Sequence, residues 1–311
     1  MTDAQVIKAR GLVVRHGLVV AVAGASLDLV AGTTTGLVGE SGSGKTTLAR
    51  AIMGLTPIKS GSVVVDGRDL VTMTAPERRR WLPPRVQMIF QDPAASLSPR
   101  VRIGQLLAEP LRVHGMLDET SRIRQLLEAL GLPFDLTGKY PHQISGGQAR
   151  RVAIARALVL HPRFLIADEP TAGLDVSVQG DFLNLMSSLQ KTLGLGTLFI
   201  SHNLNVVART TNRLAVMYLG KIVEEGATRS IFAKPSHPYT AALLSATSEI
   251  DPLRRKPRII LKGDVASQSG PPSGCRFHTR CPRAMPRCGR DAPELSTVDA
   301  VHRVACHFPI A

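Results

Sequence analysis

Residues 39–46 read GESGSGKT, the spacing G-x-x-x-x-G-K-[ST]. The stretch before it, TTGLV (34–38), is apolar and β-rich, and TTLARAIMGL (46–55) after it has helical spacing. A glycine-rich turn between a strand and a helix lets backbone N–H groups curl around phosphate oxygens, and the helix N-terminus adds a favourable dipole. Lys45 is then predicted to reach the β- and γ-phosphates of a nucleotide, and the Thr46 hydroxyl to ligate Mg²⁺. Gly39, Ser41, Gly42, Ser43, Gly44, Lys45, Thr46 and Thr47 form the expected phosphate-binding set.

A phosphoryl-transfer site needs a second element to hold the metal from a neighbouring strand. RFLIADEP (163–170) supplies one: a short apolar run ending in Asp168 and Glu169. Asp168 is placed to hold Mg²⁺ and Glu169 to act as general base toward water. Around these two strands, residues 5–38 alternate apolar and polar as short strands, and GSVVVDGRDL (61–70) reads as a hairpin turning at Asp66-Gly67. From about 92 to 160 the spacing is mostly helical. RFLIADEP and GTLFISHN (196–203) are continuous apolar runs, as expected of strands buried on both faces of a parallel sheet. After residue 235 the composition turns to Pro, Ser, Gly and Arg, with one short helical run, YTAALLSAT (239–247). The expected organisation is one α/β domain over 1–235, with a helical subdomain at about 92–155 and a C-terminal extension over 236–311.

With 311 residues and 44% apolar content the chain is long enough to bury a core. No run of about 18 uncharged apolar residues predicts a membrane span, and MTDAQVIKAR at the start has no signal pattern, so a cytosolic setting is expected. The net charge of +14 suits nucleic acid, an anionic membrane or a polyphosphate ligand, and equally a plain solvated surface. The basic run APERRRWLPPR (75–85), with Arg78, Arg79, Arg80 and Arg85, reads best as a solvated face, with anionic lipid headgroups as a second reading.

Further motifs stand in a fixed order: IFQDP with Gln91, QISGGQARRVAIARAL with Ser145, Gly146, Gly147 and Gln148, AGLD with Asp175, and ISHN with His202. Together with the phosphate loop and the acidic strand end, they resemble the ATP-binding cassette (ABC) ATPases over residues 6–245. The resemblance implies a P-loop α/β cassette with a mixed sheet, a helical subdomain and an antiparallel β subdomain. It also implies two cassettes sandwiching two ATP molecules, Ser145, Gly146, Gly147 and Gln148 of one facing the ATP of the other. Gln91 would contact Mg²⁺ and the attacking water, His202 the γ-phosphate, and Asp175 the partner cassette. The family's adenine stacks on an aromatic residue, and the matching place here holds His16, with Val22 nearby. Ile144, Ala149 and Asn203 stand where Leu, Arg or Lys, and Asp are frequent.

QDPAASLSPR (91–100), YPHQISGGQ (140–148), SHPYTAALL (236–244) and PPSGCRFHTRCPRAMPRC (271–288) narrow the resemblance to the ATP-binding subunits of bacterial dipeptide, oligopeptide and nickel importers. That implies two permeases docking on the helical subdomain, a second and different cassette chain, an extracytoplasmic substrate-binding protein, and a peripheral place on the cytoplasmic face of the inner membrane. Peptide is the expected cargo, with nickel or another small solute as the alternative. A soluble ABC ATPase acting on nucleic acid or the ribosome is the competing reading. The single cassette and the short gap from Gln91 to Ser145 speak against it, and no nucleic-acid partner is expected.

The four cysteines, Cys275, Cys281, Cys288 and Cys306, are all in the tail, spaced C-x5-C-x6-C-x17-C. Four thiolates suit zinc or an iron–sulfur cluster, although no tight zinc-type pair occurs, and disulfides conflict with a cytosolic setting. The importer resemblance favours a [4Fe–4S] cluster over Zn²⁺. Arg276, Arg280, Arg283, Arg287 and Arg290 are expected to offset the thiolate charge.

Overall fold

The computed structural model describes residues 6–247, 257–264, 266–299 and 302–310. The chain forms two compact units: residues 1–71 together with 199–311, and residues 72–198.

The first unit opens with β1 (Val6–His16), β2 (Val19–Val30), β3 (Thr34–Val38), α1 (Lys45–Ile52), β4 (Ser60–Val65) and β5 (Arg68–Asp69). β2, β1, β4 and β5 form an antiparallel sheet in that order, with Ile7, Ala9, Leu12 and Val14 of β1 buried. The predicted hairpin joins β4 to β5, and Asp66 (φ 44°) and Gly67 (φ 77°) adopt the two positive φ angles that a tight hairpin turn requires.

The second unit holds α2 (Ala75–Trp81), β6 (Val86–Ile89), α3 (Ile103–Val113), α4 (Glu119–Ala129), α5 (Gly146–Leu158), β7 (Phe164–Asp168) and α6 (Val176–Leu193). β8 (Gly196–Ile200) leads back into the first unit. β6 and β7 pair in parallel, and every residue of β7 and β8 is buried, as their unbroken apolar runs predict. Ile103 and Leu111 of α3, Ile123 and Leu127 of α4, and Val152 and Ile154 of α5 share one apolar core. α2 buries no residue, and the Arg85 guanidinium lies 4.1 Å from the Trp81 ring centroid.

The first unit resumes with α7 (Leu204–Thr210), β9 (Arg213–Tyr218), β10 (Lys221–Ala227), α8 (Thr228–Ala233), α9 (Pro238–Ser245), α10 (Pro286–Arg290), β11 (Ser296–Asp299) and β12 (His302–Val304). Its second sheet runs β11-β12-β10-β9-β3, with β3 and β9 parallel and the remaining pairs antiparallel. The C-terminal extension therefore adds strands to the cassette's own sheet, a feature its Pro- and Arg-rich composition did not predict.

One buried carboxylate holds this junction. Glu224 of β10, fully buried, accepts from the backbone N–H groups of Ser236 (2.6 Å) and His237 (3.1 Å) and from His302 Nε2 of β12 (2.7 Å). Three converging donors are what make a buried carboxylate tolerable. Beside it, Arg303 pairs with Glu225. Tyr218, Tyr239 and Phe277 meet at ring centroids 4.7–5.4 Å apart in tilted and edge-to-face contacts, so the tail contributes one of three mutually packed core aromatics.

His237 caps α9, its Nδ1 accepting from Tyr239 N–H at 3.0 Å, and burial pushes its pKa from 6.5 down to about 3. Stability contributed by neutral His237 is complete above pH 6.5 and is lost as pH falls toward 3, at up to about 1.4 kcal/mol per unit. His237→Asn keeps a cap acceptor without a titrating group. Its urea midpoint is expected to depend less steeply on pH across that window than the parent's, and equal slopes would contradict this.

Candidate functional site

The phosphate loop leaves the buried end of β3 and closes on α1. A β-carbon on Gly39 would lie 2.1 Å from Met217 O, and one on Gly44 (φ 103°) 2.2 Å from Ala21 O. Only glycine lets the backbone pass between these carbonyls. Lys45, itself buried, directs Nζ into the loop, donating to Gly39 O (2.8 Å) and Glu40 O (2.9 Å). Ser43 is also buried, while Ser41 and Gly42 are exposed and Thr46 and Thr47 half-buried at the start of α1. His202 follows β8 and is exposed. Ser201 N–H donates to Leu37 O at 3.4 Å, which binds the end of β8 to the strand feeding the phosphate loop. Asn203 serves as the N-cap of α7, accepting from Asn205 N–H (3.1 Å) and Val206 N–H, so this departure preserves the capping function.

In the second unit, β6 and β7 run in register, Ile89 beside Ala167, so Gln91 and the Asp168-Glu169 pair leave the same end of two parallel strands. Asp168 is buried; Glu169 is half-buried with φ 47°, a left-handed conformation that a Glu rarely adopts and that is typical of functional sites. Gln91 is exposed. Each unit thus presents its share of the predicted set at the carboxyl ends of parallel strands, where α/β sheets bind ligands.

Ser145 is the N-cap of α5 and shares a capping box with Gln148: Ser145 Oγ accepts from Gln148 N–H (3.2 Å) and Gln148 Oε1 from Ser145 N–H (3.1 Å). Gly146 and Gly147 are exposed, and a β-carbon on either would meet nothing within 4 Å. Packing within this chain does not demand glycine there. What the glycines leave is a bare, 13-residue helix N-terminus, a surface suited to an anion. Asp175 caps α6, its Oδ1 accepting from Val178 N–H (3.0 Å) and Ser177 N–H (3.1 Å), and these bonds hold its carboxyl below the usual range. Both caps follow local patterns, S-x-x-Q and Asp before a helix, that the sequence displays and that the nucleotide reading alone did not use. Of the base-contacting candidates, His16 is exposed at the end of β1, whereas Val22 is fully buried and offers no free face.

Thr46, Gln91 and Asp168 offer hydroxyl, amide and carboxylate oxygens, the hard donors that Mg²⁺ takes. The tail cysteines are a different case. All four are free thiols and line one pocket with His278 and His307, yet among the described residues no three His, Cys, Asp or Glu side chains stand together as a metal-binding group. A [4Fe–4S] ligand set is therefore not supported by this geometry. Cys275 N–H donates to Cys288 O at 2.8 Å, and burial raises the thiols of Cys275, Cys281 and, to about 11, Cys306. The expected ring of neutralising arginines is also corrected: Arg283 lines the pocket, but Arg276 donates to Leu219 O, Arg280 pairs with Glu40, and Arg287 with Asp291. Their long stems reach carbonyl and carboxylate partners instead of sulfur.

Residues 22–172 match the ABC transporter family, and residues 223–288 the C-terminal region of oligopeptide/dipeptide transporters. The chain is 45% identical to a putative peptide import ATP-binding protein of Brucella ovis, covering 98% of each. It is 46% identical to the di/tripeptide transport ATP-binding protein DppF of Pseudomonas aeruginosa, covering 96% of this chain and 93% of that one. Among solved structures it is similar to cbiO1 of Clostridium perfringens, part of the ABC transporter complex cbiONQ (28% identity, TM-score 0.67, 74% of this chain and 92% of that one). It is also similar to the dimeric cassette MJ0796 bound to ADP and Pi (25% identity, TM-score 0.64, 72% and 99%). The fold is that of an ABC ATPase cassette. The chain belongs to the ABC transporter ATP-binding subunits, among the peptide and oligopeptide import ATP-binding proteins.

Proposed function

We propose that the chain hydrolyses ATP to drive an importer for peptides, working as one of two cassettes docked on two permeases at the cytoplasmic face of a bacterial inner membrane. What supports this reading is the phosphate loop at the end of β3 in one unit and, in the other, the Asp168-Glu169 pair at the end of β7, with Glu169 in a left-handed conformation. The names of its relatives supply the cargo class, with nickel or another small solute as the alternative. Among the described residues no helix is long and apolar enough to cross a membrane; the translocation path in this reading is that of the two permeases. The second cassette is a different chain, and an extracytoplasmic protein delivers the substrate.

Residues 39–47 cradle the phosphates, with Lys45 on the β- and γ-phosphates. Thr46, Gln91 and Asp168 would hold Mg²⁺, which when bound would offset charge on the phosphate oxygens. Glu169 takes a proton from water as the water oxygen bonds to the γ-phosphorus and the bond to ADP breaks. His202 contacts the γ-phosphate and keeps that water in line. His16 stacks on the adenine. The α5 N-terminus, Ser145 to Gln148, closes on the ATP of the opposite cassette, and Asp175 contacts that cassette. The finer reading of the tail is a [4Fe–4S] cluster on Cys275, Cys281, Cys288 and Cys306, with Zn²⁺ as alternative; it rests on the gathering of all four cysteines in the tail and on the importer resemblance, not on a ligand set among the described residues.

Glu169→Gln is expected to lower hydrolysis at least about 100-fold while ATP still binds; hydrolysis within a few-fold of the parent would contradict the assignment. Protein purified without oxygen is expected to carry about four irons and four sulfides. About one zinc without iron would make the tail a structural clip, and no metal at all would remove the tail from the metal chemistry.

A further inference from the structure

Arg280 stands one residue before Cys281, yet its guanidinium faces the phosphate loop. Nη1 lies 2.8 Å from Glu40 Oε2 and Nη2 3.2 Å from Glu40 Oε1, with Tyr218 Oη 3.4 Å from Nη1. The pair is sheltered: the Arg280 side chain is 9% exposed and that of Glu40 29%. Glu40 is the second residue of GESGSGKT and the most heavily tethered part of the loop. Its N–H donates to Tyr239 Oη at 2.9 Å, and its carbonyl accepts from Lys45 Nζ at 2.9 Å and from Ser43 N–H at 3.1 Å. The tail touches the loop a second time, where the Gln268 side-chain amide donates to Gly42 O and the Gln268 carbonyl accepts from Val20 N–H at 3.4 Å.

A carboxylate in a loop that must receive a triphosphate is a liability, because like charges repel at short range in a partly buried setting. Two parallel N–H···O bonds neutralise it and fix its direction, which a planar guanidinium does and an ammonium does not. The same bonds hold the Glu40 backbone, whose carbonyl is one of the acceptors of Lys45. Arg280 lies in the same short loop as Phe277, which is packed on Tyr218 and Tyr239.

We propose that Arg280 is a positioning residue for the phosphate loop, and that through its pair with Glu40 the cysteine-bearing tail and the ATP site are coupled. The inference rests on the reading of residues 39–47 as the ATP site. Coupling of this kind is reciprocal: whatever the state of the tail does to ATP affinity, ATP does by the same factor to the state of the tail.

The test is ATP affinity of the full chain by titration calorimetry, with the melting temperature of each nucleotide-free variant measured alongside. Arg280→Gln is expected to weaken ATP about tenfold, because it strands the Glu40 charge. Arg280→Lys, which keeps the charge but loses the fork, falls between. Adding Glu40→Gln to Arg280→Gln is expected to recover most of the loss, which a purely structural role for Arg280 would not produce. ATP is also expected to slow hydrogen exchange of residues 275–288 in the parent, a readout that remains if Arg280→Gln does not fold. Overturning results are ATP affinity of Arg280→Gln within twofold of the parent, a double variant weaker than Arg280→Gln, or exchange over 275–288 indifferent to ATP. Lys45→Ala separates the two readings: if it binds ATP as the parent does, the ATP site itself is misplaced, whatever Arg280 does.

Discussion

Two backbone carbonyls, Met217 O and Ala21 O, stand where the β-carbons of residues 39 and 44 would be. The rest of the nucleotide site depends on that exclusion. With glycine at both positions the chain passes between the carbonyls of β9 and β2 and delivers Lys45 to the first turn of α1, its Nζ donating back to Gly39 O. The constraint is set by neighbours and not by the loop: Met217 lies on β9, paired with β3, and Ala21 on β2 of the antiparallel sheet. The phosphate loop is thus as well defined as the two sheets that flank it.

The sheet that carries β9 is in turn finished by the C-terminal extension. β12 pairs with β10, Glu224 gathers donors from β10's own downstream chain and from His302, and Phe277 fills the space beside Tyr218 and Tyr239. The cysteine pocket is the outer surface of this arrangement, and Arg280 runs from it to the loop. Chemistry at the tail and chemistry at the phosphates are therefore linked by buried, mostly polar contacts within one unit. Asp168 and Glu169, the carboxylates proposed for Mg²⁺ and water, belong to the other unit, at the end of β7, every residue of which is buried.

Features written in local pattern were legible from the sequence. Strand–loop–helix around GESGSGKT, the apolar run ending at Asp168, the Asp66-Gly67 hairpin and the helical spacing between 103 and 158 each follow from neighbours within a few residues. The order of the motifs named Gln91, Ser145, Asp175 and His202 as candidates. What stayed hidden was long-range: His302-Arg303-Val304 is too short a strand to announce itself, and nothing local to Glu40 tells that its partner is Arg280. The arginines around the cysteines were assigned to sulfur by proximity in sequence, but proximity does not say which way a long flexible side chain points. Val22 failed for a similar reason, since alternation along β2 does not reveal which face is covered.

The most direct measurement is the binding of Mg-ATP to Gly44→Ala and to the parent chain by titration calorimetry. A single methyl group at residue 44 must displace Ala21 O, so ATP affinity should fall by at least about tenfold while the fold survives, as judged by far-UV circular dichroism. A folded Gly44→Ala chain that binds Mg-ATP as tightly as the parent would show that the carbonyl-bounded loop is not where the phosphates sit.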